Sequence, residues 1–183
     1  MKTEAFITPR LILRRLRMED AMQLHVNCSS DAKVARYLRR SVTLDPQKTK
    51  ALVASWIERY EMEDFFLWAV EFEGQVIGTV NLHDVCREKK CCEIGFSIGS
   101  RWWKQGIMTE AAGAVLRCAF DKLDFDRITG WCAAENSASA RVMEKIGMRR
   151  ESRAGQTIRL SSGEYAGQIW YSACKDDRER IDE

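Results

Sequence analysis

The sequence predicts a mixed α/β layer, α/β or α+β in class, with a long helix following a central strand. Three observations carry this. Short apolar or alternating runs bounded by turn residues are interleaved with stretches whose apolar residues recur at helical spacing. Their order along the chain is strand, helices, three strands, helix, strand, helix, strands. The length of 183 residues, with 45% hydrophobic and 31% charged residues, suits a single soluble domain with a sizeable core.

The first strand is read from Leu11 to Arg17 (LILRRLR), with partly alternating polarity. Glu19 and Asp20 then open a short helix, AMQLHV, and a second helical piece runs near Asp31 to Leu38. Asp45-Pro46 supplies a cap followed by proline at the first helical position. Beyond it Leu52, Val53, Trp56, Ile57 and Tyr60 form a stripe at helical spacing, read as core. Phe65 to Glu71 and Val76 to His83 read as strands, and Glu73-Gly74-Gln75 between them has hairpin chemistry. Arg87 to Lys90 is a charged turn, and Cys91 to Gly99 (CCEIGFSIG) is the next strand. Gly95 within it suggests a bulge or a close backbone approach. A helix from Met108 to Lys122 carries Ala111, Val115 and Ala119 on its apolar face, with Leu123 just beyond it. Arg127 to Ala134 is a strand, Asn136 caps the helix SASARVMEKI, and Gly147 stops it. β-Structure around a Ser161-Ser162-Gly163 turn follows to Cys174. The domain is thus expected to fill residues 1–183, with a core from about 8 to 174 and a charged tail from 175.

Composition excludes several classes. Two prolines and eleven glycines rule out collagen-like or low-complexity chains. No window approaches the roughly 18 apolar residues of a membrane span, and MKTEAFITPR has no apolar h-region. A net charge of +2, from 29 basic and 27 acidic residues, does not suggest a nucleic-acid binder. The seven cysteines show no C-x-x-C spacing, and His25 and His83 are far apart, so no metal site is expected. Odd, scattered cysteines suit a reducing cytoplasm and core packing, with a cysteine nucleophile as the less favoured reading.

The chemistry is concentrated in Gly99 to Ala112, GSRWWKQGIMTEAA, which joins a strand to a helix start. Free N–H groups and the helix dipole favour a phosphate there, Gly106 allows close approach, and Lys104 adds a mobile cation. Neither G-x-x-x-x-G-K-[ST] nor G-x-G-x-x-G is present.

These residues resemble a family. CEIGFSIGSRWWKQGIMTEAAGAVL is similar to the acetyl-CoA-binding motif of the GNAT superfamily of N-acetyltransferases. TPRLILRRLRMEDA resembles the opening of its RimJ/RimL branch, and NSASARVMEKIGMRRE resembles that branch's N-x-x-S…E-K-x-G-[FM] block. The resemblance is collinear from about Thr8 to Cys174. It implies a central mixed, mostly antiparallel sheet flanked by helices and splayed at the acetyl-CoA site. The pyrophosphate pattern falls on Trp103, Lys104, Gln105, Gly106, Ile107 and Met108, with departures at Trp103 and Met108. Met108, where the family has a small residue, is expected to narrow the room for phosphates. The candidate cradle is the backbone from Gln105 to Thr109. The backbone of Phe96, Ser97 and Ile98 is expected beside the pantetheine arm, and an amide near Ile98 would polarise the thioester carbonyl.

The same resemblance gives Asn136 a bond to that arm, besides its reading as an N-cap. Ser139 is its proton donor to the leaving thiolate, or otherwise a small helix residue. The tyrosine many relatives use is replaced by Met143. Glu93 could take the ammonium proton, or be an ordinary strand glutamate. A branch glutamate falls near Arg159 here and a branch aspartate on Gly167. Trp102 and Trp103 are a binding wall or a lid on the core. His83 is a structural residue or faces the cleft. The Arg39-Arg40 and Arg149-Arg150 pairs are solvated, or a rim for the 3′-phosphate. At pH 7 roughly a tenth to a fifth of protein α-amines are neutral, against about one lysine in 2,500. This agrees with the RimJ/RimL resemblance, whose known substrates are ribosomal-protein N-termini. The activity that resemblance implies is acetyl transfer from acetyl-CoA to a protein N-terminal α-amine in a ternary complex. The alternatives are a small-amine (polyamine or aminoglycoside) acetyltransferase and a non-catalytic acetyl-CoA sensor, and a homodimer is possible by resemblance.

Overall fold

The computed structural model describes residues 2–38, 42–153 and 155–180, with side chains to Asp177. Arg39-Arg40 lies outside the described residues. Among the described residues nine strands form the sheet in the order β1-β2-β3-β4-β5-β6-β9-β7, with β8 paired to β9. They are β1 (Phe6–Ile7), β2 (Leu11–Arg14), β3 (Phe66–Phe72), β4 (Gln75–Cys86), β5 (Cys91–Ile98), β6 (Arg127–Ala133), β7 (Arg149–Glu151), β8 (Thr157–Arg159) and β9 (Tyr165–Cys174). Among the described strands only β5 and β6 run parallel, because α4 (Ile107–Asp121) carries the chain across between them.

Helices cover both faces. Leu11, Phe66, Trp68 and Val70 meet α4 and α5 (Ser137–Lys145) in the larger core. Leu67, Ala69 and Val76 point the other way, into a second core with α1 (Asp20–Leu24) and α3 (Pro46–Arg59). A strand buried on both faces reads as one continuous apolar run, as FLWAV does. A π-helical turn (His25–Ser29) and the short α2 (Ala32–Ala35) bring the second layer back to the sheet. Among the described residues no helix is long and apolar enough to cross a membrane.

Local signals act as their chemistry requires. Asp45 accepts from the amide of Gln47 ahead of Pro46, and Asn136 accepts from that of Ser139. Glu73 and Gly74 both have positive φ, the requirement of a two-residue primed turn. Ala111, Val115, Ala119 and Leu123 are buried. Of the α3 stripe, Val53 and Tyr60 are buried, while Trp56 borders a cavity.

Two expectations change. The first strand stops at Arg14, because the Leu16 amide is taken by the Tyr60 hydroxyl (2.9 Å) and Arg14 turns to Asp20. Gly95 lies in unbroken register opposite Asn81, and the β4–β5 irregularity falls between His83 and Cys86. What glycine admits at 95 is a side chain: an added Cβ would sit 2.9 Å from Asn81 Oδ1 and 3.3 Å from His83 Nε2.

Candidate functional site

The sheet opens where β5 and β6 part. Their pairing runs only through Cys91↔Arg127, Cys92↔Ile128 and Glu93↔Thr129. Beyond it Ile94–Ile98 keeps one neighbour, β4. Gly99 donates to Ile77 O (3.0 Å), so the odd-numbered amides of this stretch face β4. By alternation those of Phe96 and Ile98 face the gap. Of the three backbone positions expected beside the pantetheine arm, Phe96 and Ile98 thus offer N–H groups, whereas the Ser97 amide faces β4.

Beyond β5 the chain turns through Lys104 (φ +62°) and Gly106 (φ +73°) into α4. Gly106 is the N-cap, and its carbonyl accepts from Glu110 at 3.0 Å. The amides of Ile107, Met108 and Thr109 are then the helix's first three, which have no intrahelical acceptor. They border a cavity of about 220 Å³ together with Trp102, Trp103, Lys104, Ile98 and Asn136. Ile107 and Met108 bury their side chains in the core, 1% and 6% exposed. Met108 therefore does not crowd the loop as expected: its side chain points inward and its backbone remains at the wall.

Gln105 does not line this cavity. Its carbonyl accepts from Arg10 (3.0 Å) and its Nε2 donates to the Arg101 carbonyl (3.0 Å). Trp103 donates its Nε1 to the Ile98 carbonyl (3.0 Å), so it is both a wall and a brace on the core. Arg149 and Arg150 are exposed on β7 and line none of the cavities described here; Arg149 pairs with Asp177. The cations at the small cavity are Lys104, Arg141 and Lys145. The last two escaped sequence reasoning, although their four-residue spacing on α5 puts them on one face.

A second cavity, about 630 Å³, lies on the other side of the β5 edge. Its floor is a polar stripe on β4 and β5, where Thr79 meets Ser97, Asn81 overlies Gly95 and His83 opposes Glu93. The Thr79 and Ser97 hydroxyls are 3.4 Å apart. Tyr37, Trp56, Phe65 and Trp131 make its walls. These wall residues and Asn81 also escaped sequence reasoning. The signal was present as Thr79, Asn81 and His83, every second residue of an otherwise apolar strand. Phe96, Ser97 and Ser139 line both cavities, so the two meet there.

Glu93 lies on the cleft-facing side of β5 but lines an adjoining cavity with His83, Asp84 and Trp131. One side-chain atom each of His83, Asp84 and Glu93 lies within 4.8 Å of the others. Burial pushes the Glu93 carboxyl up, opposed by the nearby His83. Cys132, on the larger cavity, has its thiol pushed up to about 11 by burial, which leaves it protonated at neutral pH. Met143 is buried in the core, 1% exposed. Tyr171 is also buried and donates to Glu144 (3.0 Å), so neither reaches the junction. Arg159 pairs with Tyr165 and Gly167 with Thr157 across β8 and β9, and neither lines the two joined cavities.

Four likenesses to known families and proteins accompany this geometry. The acetyltransferase (GNAT) domain family matches residues 10–149. Bacillus subtilis (strain 168) YnaD, described as an uncharacterized N-acetyltransferase, is 31% identical over 144 residues, 79% of this chain and 82% of its own. The ribosomal protein uS5-alanine N-acetyltransferase of Escherichia coli (strain K12) is 30% identical over 80 residues, 43% of this chain and 41% of its own. Among solved structures, Mycobacterium smegmatis RimJ in complex with CoA-disulfide shares the fold with a TM-score of 0.78 at 18% identity, covering 91% of this chain and 83% of that one.

Proposed function

The chain belongs to the GNAT acetyltransferase family and is an acyltransferase, and we propose that it moves the acetyl group of acetyl-CoA onto the N-terminal α-amine of a protein, such as a ribosomal protein. The observation that carries this is the junction at Phe96, Ser97 and Ser139, where a cavity walled by free helix-start amides opens into a larger one. The amides of Ile107 to Thr109 would hold the diphosphate, with Gly106 at the turn and Lys104, Arg141 and Lys145 balancing charge. Lys104, Trp103 and the Phe96–Ile98 edge would contact the cofactor, and Gln105 would fix the loop from behind. The outward amide of Phe96 or Ile98 would polarise the thioester carbonyl. Asn136 spends its carbonyl oxygen on the cap, which leaves its NH2 group for the pantetheine arm. Ser139, one turn on, would protonate the departing thiolate. Glu93, at the far end of the polar stripe, would receive the ammonium proton indirectly, as it leaves the cleft.

The acceptor side argues for a single ammonium rather than a polycation. The two carboxylates on the larger cavity are both engaged, Asp64 by Arg87 (2.6 Å) and Asp84 by His83 (2.8 Å), and Arg59 adds positive charge. A polyamine or aminoglycoside would find little to neutralise it. The similarity to the Escherichia coli uS5-alanine enzyme supports a protein N-terminus over those small amines. None of the seven cysteines forms a disulfide, which fits a cytoplasmic setting and one domain built without staples.

Thiol release measured with N-terminal peptides, spermidine and an aminoglycoside tests this. Turnover is expected with peptides and not with the polycations. Faster turnover with a polycation overturns the acceptor assignment. Cofactor binding without turnover of any amine would make the protein a sensor.

A further inference from the structure

Resting on the N-acetyltransferase reading, we propose that His83, held by Asp84, is the group that removes the proton from the acceptor ammonium. The two residues form a dyad: His83 Nδ1 is 2.8 Å from Asp84 Oδ2. A carboxylate only accepts, so Nδ1 carries the hydrogen, and in the neutral ring Nε2 then keeps its lone pair. Nε2 sits over Gly95, 3.3 Å from where a Cβ there would be, and both residues line the larger cavity. Any other residue at 95 would crowd it. Phe96, whose amide faces the gap, follows at once, about 3.3 Å along the strand. The proton acceptor and a candidate thioester-binding amide are thus neighbours on one edge.

The backbone is shaped for this. Asp84 has φ +49°, a conformation unfavourable to a residue with a side chain. The β4–β5 register slips between His83 and Cys86, and such irregularities re-aim side chains. His83 also borders the adjoining cavity, where Glu93 faces it from β5. The charged groups around the imidazole are Asp84 on its own strand, Glu93 on β5, and Arg153 beyond Glu93. Asp64 and Arg59 line the same large cavity further off.

The step balances as follows. The ammonium gives one proton to Nε2, and the freed amine lone pair forms the C–N bond to the thioester carbonyl carbon. The C–S bond breaks with its electron pair going to sulfur. The second nitrogen proton replaces the one Ser139 passes to the thiolate. The imidazolium returns its proton to solvent through exposed Asp84 or through Glu93, so one proton is released per acetylation.

Two measurements test this. Substituting His83→Gln should lower kcat/KM for a peptide about 100-fold at pH 7. The deficit should shrink as pH rises and the amine deprotonates itself, added imidazole should restore part of the rate, and coenzyme A affinity should not change. A pH-independent deficit without imidazole rescue, or no deficit, overturns the proposal while leaving the acyltransferase intact. Independently of turnover, 15N imidazole shifts should show His83 as the Nδ1–H tautomer. With only one other histidine, His25→Gln assigns the signals. An Nε2–H tautomer overturns the proposal even if no acceptor is found.

Discussion

Glu110, in the first turn of α4, ties the phosphate-side loop to the start of the chain. Its Oε1 accepts from Thr8 Oγ1 (2.6 Å) and the Arg10 amide (2.9 Å), and its Oε2 accepts from Arg10 Nε (2.6 Å). Arg10 then donates to the Gln105 carbonyl (3.0 Å), inside the loop that precedes the free amides. Glu110 is 16% and Arg10 43% exposed, so the ion pair itself contributes no more than about 1 kcal/mol. The two other bonds to a charged acceptor contribute about 1.5 kcal/mol each. Water replaces part of this when the network is cut, which leaves about 2 kcal/mol for ordering the loop. At about 1.4 kcal/mol per decade, Glu110→Ala should weaken coenzyme A binding roughly 10- to 30-fold in calorimetry. kcat at saturating coenzyme should hold, because the acceptor cavity is untouched. Burial pushes the Glu110 carboxyl up, but the bonds from Thr8 and Arg10 outweigh it and hold it below the usual range. The contribution is therefore complete above about pH 4.3, the ordinary glutamate value, and fades as pH falls through the lowered one. An unchanged Kd beside a lowered Tm would show the network to be a staple of the fold with no bearing on the coenzyme.

Asp20 accepts two bonds from Arg14 (2.7 and 2.9 Å) and one from the Arg17 amide (2.7 Å), while Glu71 takes Arg14 Nε (2.6 Å). Asp20→Asn should cost about 3 kcal/mol in urea unfolding, the low end for a broken buried pair because Glu71 remains. Burial raises the Asp20 carboxyl, but Arg14 and Arg17 together lower it. The wild-type advantage should accordingly be full above about pH 4 and vanish as pH drops through the folded value; an advantage that grows in acid would contradict the assignment. Gly99→Ala should abolish soluble folding or lower Tm sharply, since its Cβ would sit 1.8 Å from the Asn27 carbonyl oxygen. Gly74→Ala, with nothing within 4 Å of its Cβ, should cost only about 1 kcal/mol of left-handed strain. Equal losses at both positions would refute the steric argument. Cys132→Ala should keep kcat, and isolation of an acetylated Cys132 would refute direct transfer.

Much of this architecture was legible because the signals are local. Asp45-Pro46, Asn136 and Gly147 set helix ends through bonds within a few residues, and the apolar spacing of Ala111, Val115 and Ala119 settles which face of α4 is buried. Gly106 at the mouth of that helix marked the loop cavity, and the motif around it marked the family. Tertiary structure decided what depends on contacts far apart in the chain. Thr8 and Arg10 reach Glu110 across about a hundred residues, a hydrogen-bonded and ion-paired clamp that neither segment announces. The parting of β5 from β6 turns the Phe96 and Ile98 amides into free donors, and strand pairing beyond Glu93 has no sequence marker. Ser139 joins two cavities only because α5 packs beside that gap. His83 opposes Glu93 through β4–β5 register, and register is fixed by the whole sheet's burial pattern. Met108 points inward because the core needs its volume, which a motif of one-letter classes does not record. Short-range capping and periodicity can be read along the chain, whereas proximity between remote residues exists only once the layers have packed.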